Sequence, residues 1–234
     1  MEWLLAPIDA ARVHDVGWQL SWHARLMVLA WGVMVPLGVL AARFFKVLPK
    51  QDWPRVRDSQ AWWVFHRVMQ YSASVLMVVA VWLIYNAPPM AITSGPHAYL
   101  GWLILALVVV QVAGGVLRGS KGGPTEADLR GDHFDMSFKR LVFEVVHKGA
   151  GYAALILSVA AILSGMWQAN APVWMFIVLP IWWSVLIVLF VTCQRRGMAI
   201  DTYQAIWGPD PNLPGNQRKP IGVGVRQSRP EAGE

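Results

Sequence analysis

Five stretches of about twenty apolar residues, at 23–45, 64–85, 97–117, 141–167 and 171–193, constrain this chain more than anything else in it. Crossing about 30 Å of hydrocarbon takes roughly 20 helical residues. In lipid every backbone N–H and C=O must also be satisfied within the protein, which leaves helices as the form these stretches can take. The expected fold class is an all-α integral membrane protein of five transmembrane helices. The ends are marked by polar or helix-breaking residues: Arg43 and Lys46 after the first helix, Asn86, Pro88 and Pro89 after the second, Arg118-Gly119 after the third. Gly95-Pro96 introduces the third, Lys139-Arg140 the fourth, and Arg195-Arg196 stops the fifth. Pro36 and Pro180 fall inside helices one and five, where kinks are tolerated if neighbouring helices shield the freed carbonyls.

The composition agrees: 56% of residues are hydrophobic and 15% charged. Trp53, Trp62, Trp63, Trp167 and Trp207 lie where apolar runs meet polar ones, the headgroup depth that amphipathic rings prefer. Three domains are expected: an N-terminal interfacial segment at 1–22, a transmembrane domain at 23–193 and a C-terminal tail at 194–234. In the lead-in, Trp3, Leu4, Leu5, Trp18 and Trp22 can lie among headgroups; residues 118–140 form the one long charged loop. Residues 208–234, rich in Pro, Gly and charge, are expected to be largely disordered. No cationic n-region with an apolar core and cleavage site opens the chain, so no signal peptide is expected.

Cys193 is the one cysteine, which leaves no disulfide framework and no Cys-based metal or iron–sulfur site. The net charge of +6 lies in loops and tail, without a basic helix face interleaved with aromatics, so nucleic acid is not an expected partner; the bilayer is. Lys46, Lys50, Arg55 and Arg57 fill the first loop, Arg118, Lys121, Arg130, Lys139 and Arg140 the third, and Arg195, Arg196, Arg218, Lys219, Arg226 and Arg229 the tail. The 86–96 and 168–171 connections carry no charge. The positive-inside rule then places a multi-pass protein in the cell membrane, N-terminus outside (periplasmic) and C-terminus in the cytoplasm.

Each of the first four helices carries one histidine near its beginning: His23, His66, His97 and His147. Successive helices run in opposite directions, so His23 and His97 fall toward the outer side, and His66 and His147 toward the cytoplasmic side. Bis-histidine haem iron takes two imidazoles from opposite faces of the porphyrin, which facing helices of a bundle provide. Interfacial histidines are the alternative, and pattern alone leaves both open. His14 and His133 have no partner in this scheme and are assigned to solvated segments. Gly101 and Gly151 each follow a histidine by one turn, where thinning the helix admits either a flat cofactor or a neighbouring helix. Gln70, Gln111 and Glu144 are costly in lipid and need partners: an imidazole, a propionate or another helix. Gly119 to Gly123 around Lys121 is glycine-rich but lacks the spacing of a phosphate-binding loop.

These segments carry a resemblance. His23-Ala24-Arg25-Leu26-Met27 with Trp31-Gly32, Pro36, Gly38 and Ala42-Arg43 resembles the first core helix of the cytochrome b561 family. His66-Arg67-Val68-Met69-Gln70 resembles its second, and His97-Ala98-Tyr99-Leu100-Gly101 with Gln111, Gly115 and Arg118-Gly119 its third. Gly131-Asp132-His133-Phe134-Asp135-Met136, Phe143-Glu144-Val145-Val146-His147-Lys148 and Gly151-Tyr152 resemble the following loop and fourth helix. The likeness covers residues 20–193 and is to the branch whose members often carry a DOMON domain, which is not expected here. It implies a four-helix haem-binding bundle plus one additional helix. It also implies two haem b groups, one on His23 and His97 at the outer side and one on His66 and His147 at the cytoplasmic side. Arg25, Arg67 and Lys148 become candidate cofactor-binding cations, with Arg43, Lys46 and Arg140 as further anion or propionate partners; snorkelling to the interface is their alternative role.

The implied function is a di-haem b-type cytochrome, an oxidoreductase carrying electrons across the membrane between a donor (a quinol, ascorbate or a small redox protein) and an acceptor on the opposite face. The alternatives are a haem-binding anchor subunit of a larger redox complex and a non-redox membrane protein such as a transporter; the paired half-repeats expected of the latter are not found. No catalytic acid–base or nucleophile constellation is present. The sequence is silent on oligomeric state.

Overall fold

The computed structural model describes residues 2–88 and 95–228. Pro89, most of the 86–96 connection and Arg229 lie outside the described residues. The element order is α1 (Glu2–Leu5), α2 (Trp18–Phe44), α3 (Ala61–Tyr85), α4 (Pro96–Leu117), α5 (Asp132–Asp135), α6 (Phe138–Gln168), α7 (Val173–Arg195) and α8 (Thr202–Trp207). Among the described residues there is no named strand, and isolated bridges join Pro7 to Pro172 and Ile200 to Arg226. The protein is an all-α membrane protein: α2, α3, α4, α6 and α7 are each long and apolar enough to cross a bilayer.

The first four long helices begin earlier than their apolar runs, and α7 starts at Val173 instead of 171. α2 starts at Trp18 instead of residue 23, and α6 at Phe138 instead of 141. Hydrogen bonding continues through polar and aromatic residues once a helix has left the hydrocarbon, so an apolar count stops short of the true end. Pro36 behaves as its chemistry requires. It has no N–H for the carbonyl four residues back, Gly32, and the backbone from Val28 to Met34 widens into a π-helical turn. The Trp182 indole N–H then donates to the Gly32 carbonyl at 2.8 Å.

The chain divides into two compact units, residues 1–37, 68–108 and 152–189 in the first and 38–67, 109–151 and 190–234 in the second. Each long helix contributes a segment to each unit. The core of the first is built largely from alanines and medium aliphatics, among them Ala30, Ala73, Met77, Ala80, Ala154, Ala161 and Ile162, which let helices approach closely. Its N-terminal segment exposes Trp3, Leu5 and Trp18 yet is tied down. Ile8 and Val173 exchange backbone bonds with Ala171 and Ala6, Arg12 donates to the Trp167 and Gln168 carbonyls, and buried Asn170 bonds Asp9.

The second unit corrects the expectation of disorder at 208–234 for the part described, residues 208–228. Residues 199–228 are folded onto the rest of the unit. Every residue of α8 is buried, and Tyr203, Ile206 and Trp207 form one cluster with Met136, packed by Phe134, Leu141, Leu213 and Ile221. Tyr203, Ile206 and Trp207 are three and four residues apart, one face of a helical turn. At six residues this helix is too short to show as an apolar run in the sequence. The glycine-rich loop is closed by its own side chains: Lys121 pairs with buried Asp58 at 2.6 Å and the Gly122 N–H donates to Glu126. Gly122 has φ +67°, and a Cβ there would strike the Arg130 backbone, so this residue serves a turn.

Candidate cofactor site: two histidine pairs

The four histidines come together in the two expected pairs, one in each unit. In the first unit the His23 and His97 rings have centroids 6.1 Å apart and planes crossed at 83°. In the second, His66 and His147 are 6.3 Å apart with planes at 74°. An imidazole nitrogen bonds a transition metal at about 2.0 Å, and the ring centre lies about 1.1 Å behind it, so two imidazoles facing one ion have centroids about 6.2 Å apart. Both separations would suit two imidazoles holding one metal ion. Among the described residues no group of three or more His, Cys, Asp or Glu is arranged as a cage for a metal ion.

Hydrogen bonds fix which nitrogen is available. His23 Nδ1 lies 3.0 Å from the Ala80 carbonyl, His97 Nδ1 2.9 Å from that of Ala161, and His66 Nδ1 3.0 Å from that of Gly38. A carbonyl only accepts, so each Nδ1 carries the proton and donates, leaving the Nε2 lone pair free to bind a metal. His147 differs: its Nδ1 is buried without a hydrogen-bond partner, and its ring lies against Phe143, centroids 5.0 Å apart.

The flanking glycines play unequal parts. Gly101, one turn from His97, is exposed, and a Cβ there would meet nothing. Gly151 instead packs on Gln111, whose amide donates to the His147 carbonyl at 3.0 Å. Gly165 permits the position of His97: a Cβ there would lie 2.7 Å from the imidazole. A cavity of about 430 Å³ beside His97 is lined by Arg12, Pro96, Ser164, Trp167 and Gln168. Gln70 donates to the Val35 carbonyl, so both half-buried glutamines bond a backbone carbonyl.

The candidate cations are mostly engaged. Exposed Arg25 lies over the Trp22 ring at 5.3 Å. Arg67 and Arg118 lie over Trp63, at 5.6 and 4.2 Å, and Trp63 stacks on His66. Lys148 donates to Glu144 at 2.6 Å and to the Ile221 carbonyl at 2.9 Å, and Arg140 binds the other Glu144 oxygen at 3.0 Å. Lys46 donates to the carbonyls of Arg43 and Ile200; its burial, with repulsion from Lys148, lowers its ammonium to about 7.

Sequence reasoning misplaced His133. Expected in a solvated segment, it is 1% exposed, with Nε2 3.7 Å from Glu144 and its ring edge-on to Tyr203. Burial, reinforced by the Arg140 charge, pushes it down to about 3, so it is neutral at physiological pH. It lies between Asp132 and Phe134 in a charged loop, and the cover comes from Tyr203 of α8, seventy residues away. His14 is exposed as expected and bonds the Ala169 carbonyl.

Parts of this chain are similar to known proteins. No family model matches the chain, and no solved structure does. Over 149 residues, 63% of this chain, it is 32% identical to ferric-chelate reductase 1 of Homo sapiens, and over 152 residues 34% identical to that of Mus musculus. Over 194 residues, 78% of this chain, it is 27% identical to a cytochrome b561 and DOMON domain-containing protein of Arabidopsis thaliana. The matched part spans 22% of the two reductases and 43% of the plant protein. These homologues bear out the resemblance to the cytochrome b561 family read from the histidine motifs.

Proposed function

We propose that this homologue of the cytochrome b561 and DOMON proteins is a di-haem b-type cytochrome that carries electrons across a membrane, with residues 23–193 as the electron-carrying module. The observation that carries the reading is the pairing of the four histidines, at 6.1 and 6.3 Å, one pair in each unit. A bound b-type haem would supply one-electron chemistry, and the protein's part is to hold it and set its surroundings. His23 and His97 would hold one haem and His66 and His147 the other. The carbonyls of Ala80, Ala161 and Gly38 keep three of the imidazoles in the tautomer whose Nε2 binds metal. Arg25, exposed near His23, is the propionate partner this reading favours at that pair, and Arg67 at the other; Lys148 is held by Glu144 and acts through it.

The lysine and arginine distribution supports an orientation with the His23–His97 pair toward the outside, the N-terminus outside and the C-terminus in the cytoplasm of a cell membrane. The donor is a quinol, ascorbate or a small redox protein. The name of the reductase relatives favours a ferric chelate as the acceptor. A reduced-minus-oxidised spectrum of the purified chain with its haem-to-protein ratio tests the reading. About two haems per chain are expected from two axial pairs; one would break a pairing and none would end the proposal. Reduction by ascorbate, a quinol and a reduced cytochrome in stopped flow then identifies the donor class.

A further inference from the structure

Residues 63, 66 and 67 are three and four apart, so they share one face of α3. On that face the Trp63 and His66 rings lie with centroids 6.3 Å apart and planes within 23° of parallel. Two guanidiniums meet the same indole: Arg67 of α3, 5.6 Å from the ring centroid, and Arg118, the residue after α4, at 4.2 Å. A tryptophan that only anchors a helix among headgroups needs neither contact. Here one ring joins a candidate ligand to two charges brought from two helices, all within the second unit.

The His66 imidazole is also held by a hydrogen bond from Nδ1 to the Gly38 carbonyl at 3.0 Å. One such bond fixes a direction, and the ring can still turn about it. A flat neighbour stacked against the ring removes that freedom. We propose that Trp63 is a positioning residue for the second pair, setting the plane of the His66 ring and seating the charges of Arg67 and Arg118 beside it. The inference rests on the haem reading of His66 and His147. The angle between two axial imidazole planes, 74° for this pair, governs how their orbitals split those of a bound iron. Positive charge held beside such a centre favours its reduced form.

The test uses the full chain in lipid nanodiscs, loaded with haem, and three variants read by low-spin ferric EPR and redox titration. Trp63→Leu removes both the flat face and the seat of the guanidiniums. The EPR signal of the His66–His147 centre should change shape and its midpoint potential should fall. Moving a unit charge away from a half-buried centre shifts its reduction equilibrium by about tenfold, which is about 59 mV for one electron. Trp63→Phe keeps a flat ring but a weaker seat for cations. It should restore the native signal shape and only part of the potential. Arg118→Gln should lower the potential and leave the signal shape unchanged. The His23–His97 centre should hold still in all three. Second-centre signal and potential that stay native in Trp63→Leu overturn the inference. So does a changed signal that Trp63→Phe does not restore, because bulk and not a flat ring is then what holds the imidazole. If Trp63→Leu loses the second haem, the other two variants decide: native potential in both overturns the inference. A native chain without haem ends the cytochrome reading and takes this inference with it, whereas two haems with an insensitive second centre end this one alone.

Discussion

Two histidine pairs with nearly the same ring separation sit in different surroundings. Around His23 and His97 both imidazoles are pinned by backbone carbonyls, and a cavity opens beside one ring. Around His66 and His147 only the first is pinned, and the unit also buries Arg140, Glu144 and His133 under the folded tail. Ligand geometry is set by helix packing and comes out alike in both. The electric field is set by which charges the loops and tail bury, and it does not. Under the proposed ligation, two chemically identical centres would be tuned apart by their neighbours, the second-shell lever available to a protein that uses one cofactor twice.

The comparison breaks most directly at the ligands. His97→Ala should lower haem content from about two to about one per chain, as should His147→Ala, each removing a different haem in the reduced spectrum. Loss of both in either variant, with the protein still folded, would mean that the pairs are not independent. Glu144→Gln comes next. It leaves two cations without their carboxylate, and breaking a buried ion cluster costs about 3 kcal/mol in thermal or denaturant unfolding. It should also raise the midpoint potential of the His66–His147 centre by removing negative charge, while the other centre holds still; equal shifts in both would place the charge elsewhere.

His133 supplies a pH dependence confined to the second unit. Its folded value is about 3 against 6.5 for the free side chain. The unfolded chain therefore takes up a proton between these limits that the folded chain refuses. Stability should fall as pH drops below 6.5, by about 1.4 kcal/mol per unit, and level off below 3. His133→Phe should remove that slope in unfolding measured across the range, and an unchanged slope would assign it to other groups. The smallest expected effect is at Gly165, where a Cβ would lie 2.7 Å from the His97 ring, so alanine forces the ring to shift. The ligand-field spectrum of the His23–His97 centre should shift, with the other centre unaffected.

The pairing of histidines was legible because it follows from helix direction alone: one histidine near the start of each of four antiparallel neighbours leaves two pairings by side. Helix ends were legible to within a few residues, blurred where bonding outlasts hydrophobicity. His133 and the tail were not. A buried histidine flanked by Asp132 and Phe134 looks like a loop residue until α8 covers it, and α8 looks like linker until its three apolar side chains find Met136.

Five apolar runs, their charged ends and the position of one histidine in each of four helices determined by themselves that this is a helical membrane protein with two paired imidazole sites, because span length and helix direction are local properties. The tertiary structure alone decided that Pro36 is relieved by Trp182, that Glu144 gathers Arg140, Lys148 and His133, and that the tail closes over the cations. These depend on groups far apart in the chain meeting where water is excluded, and no local pattern records that.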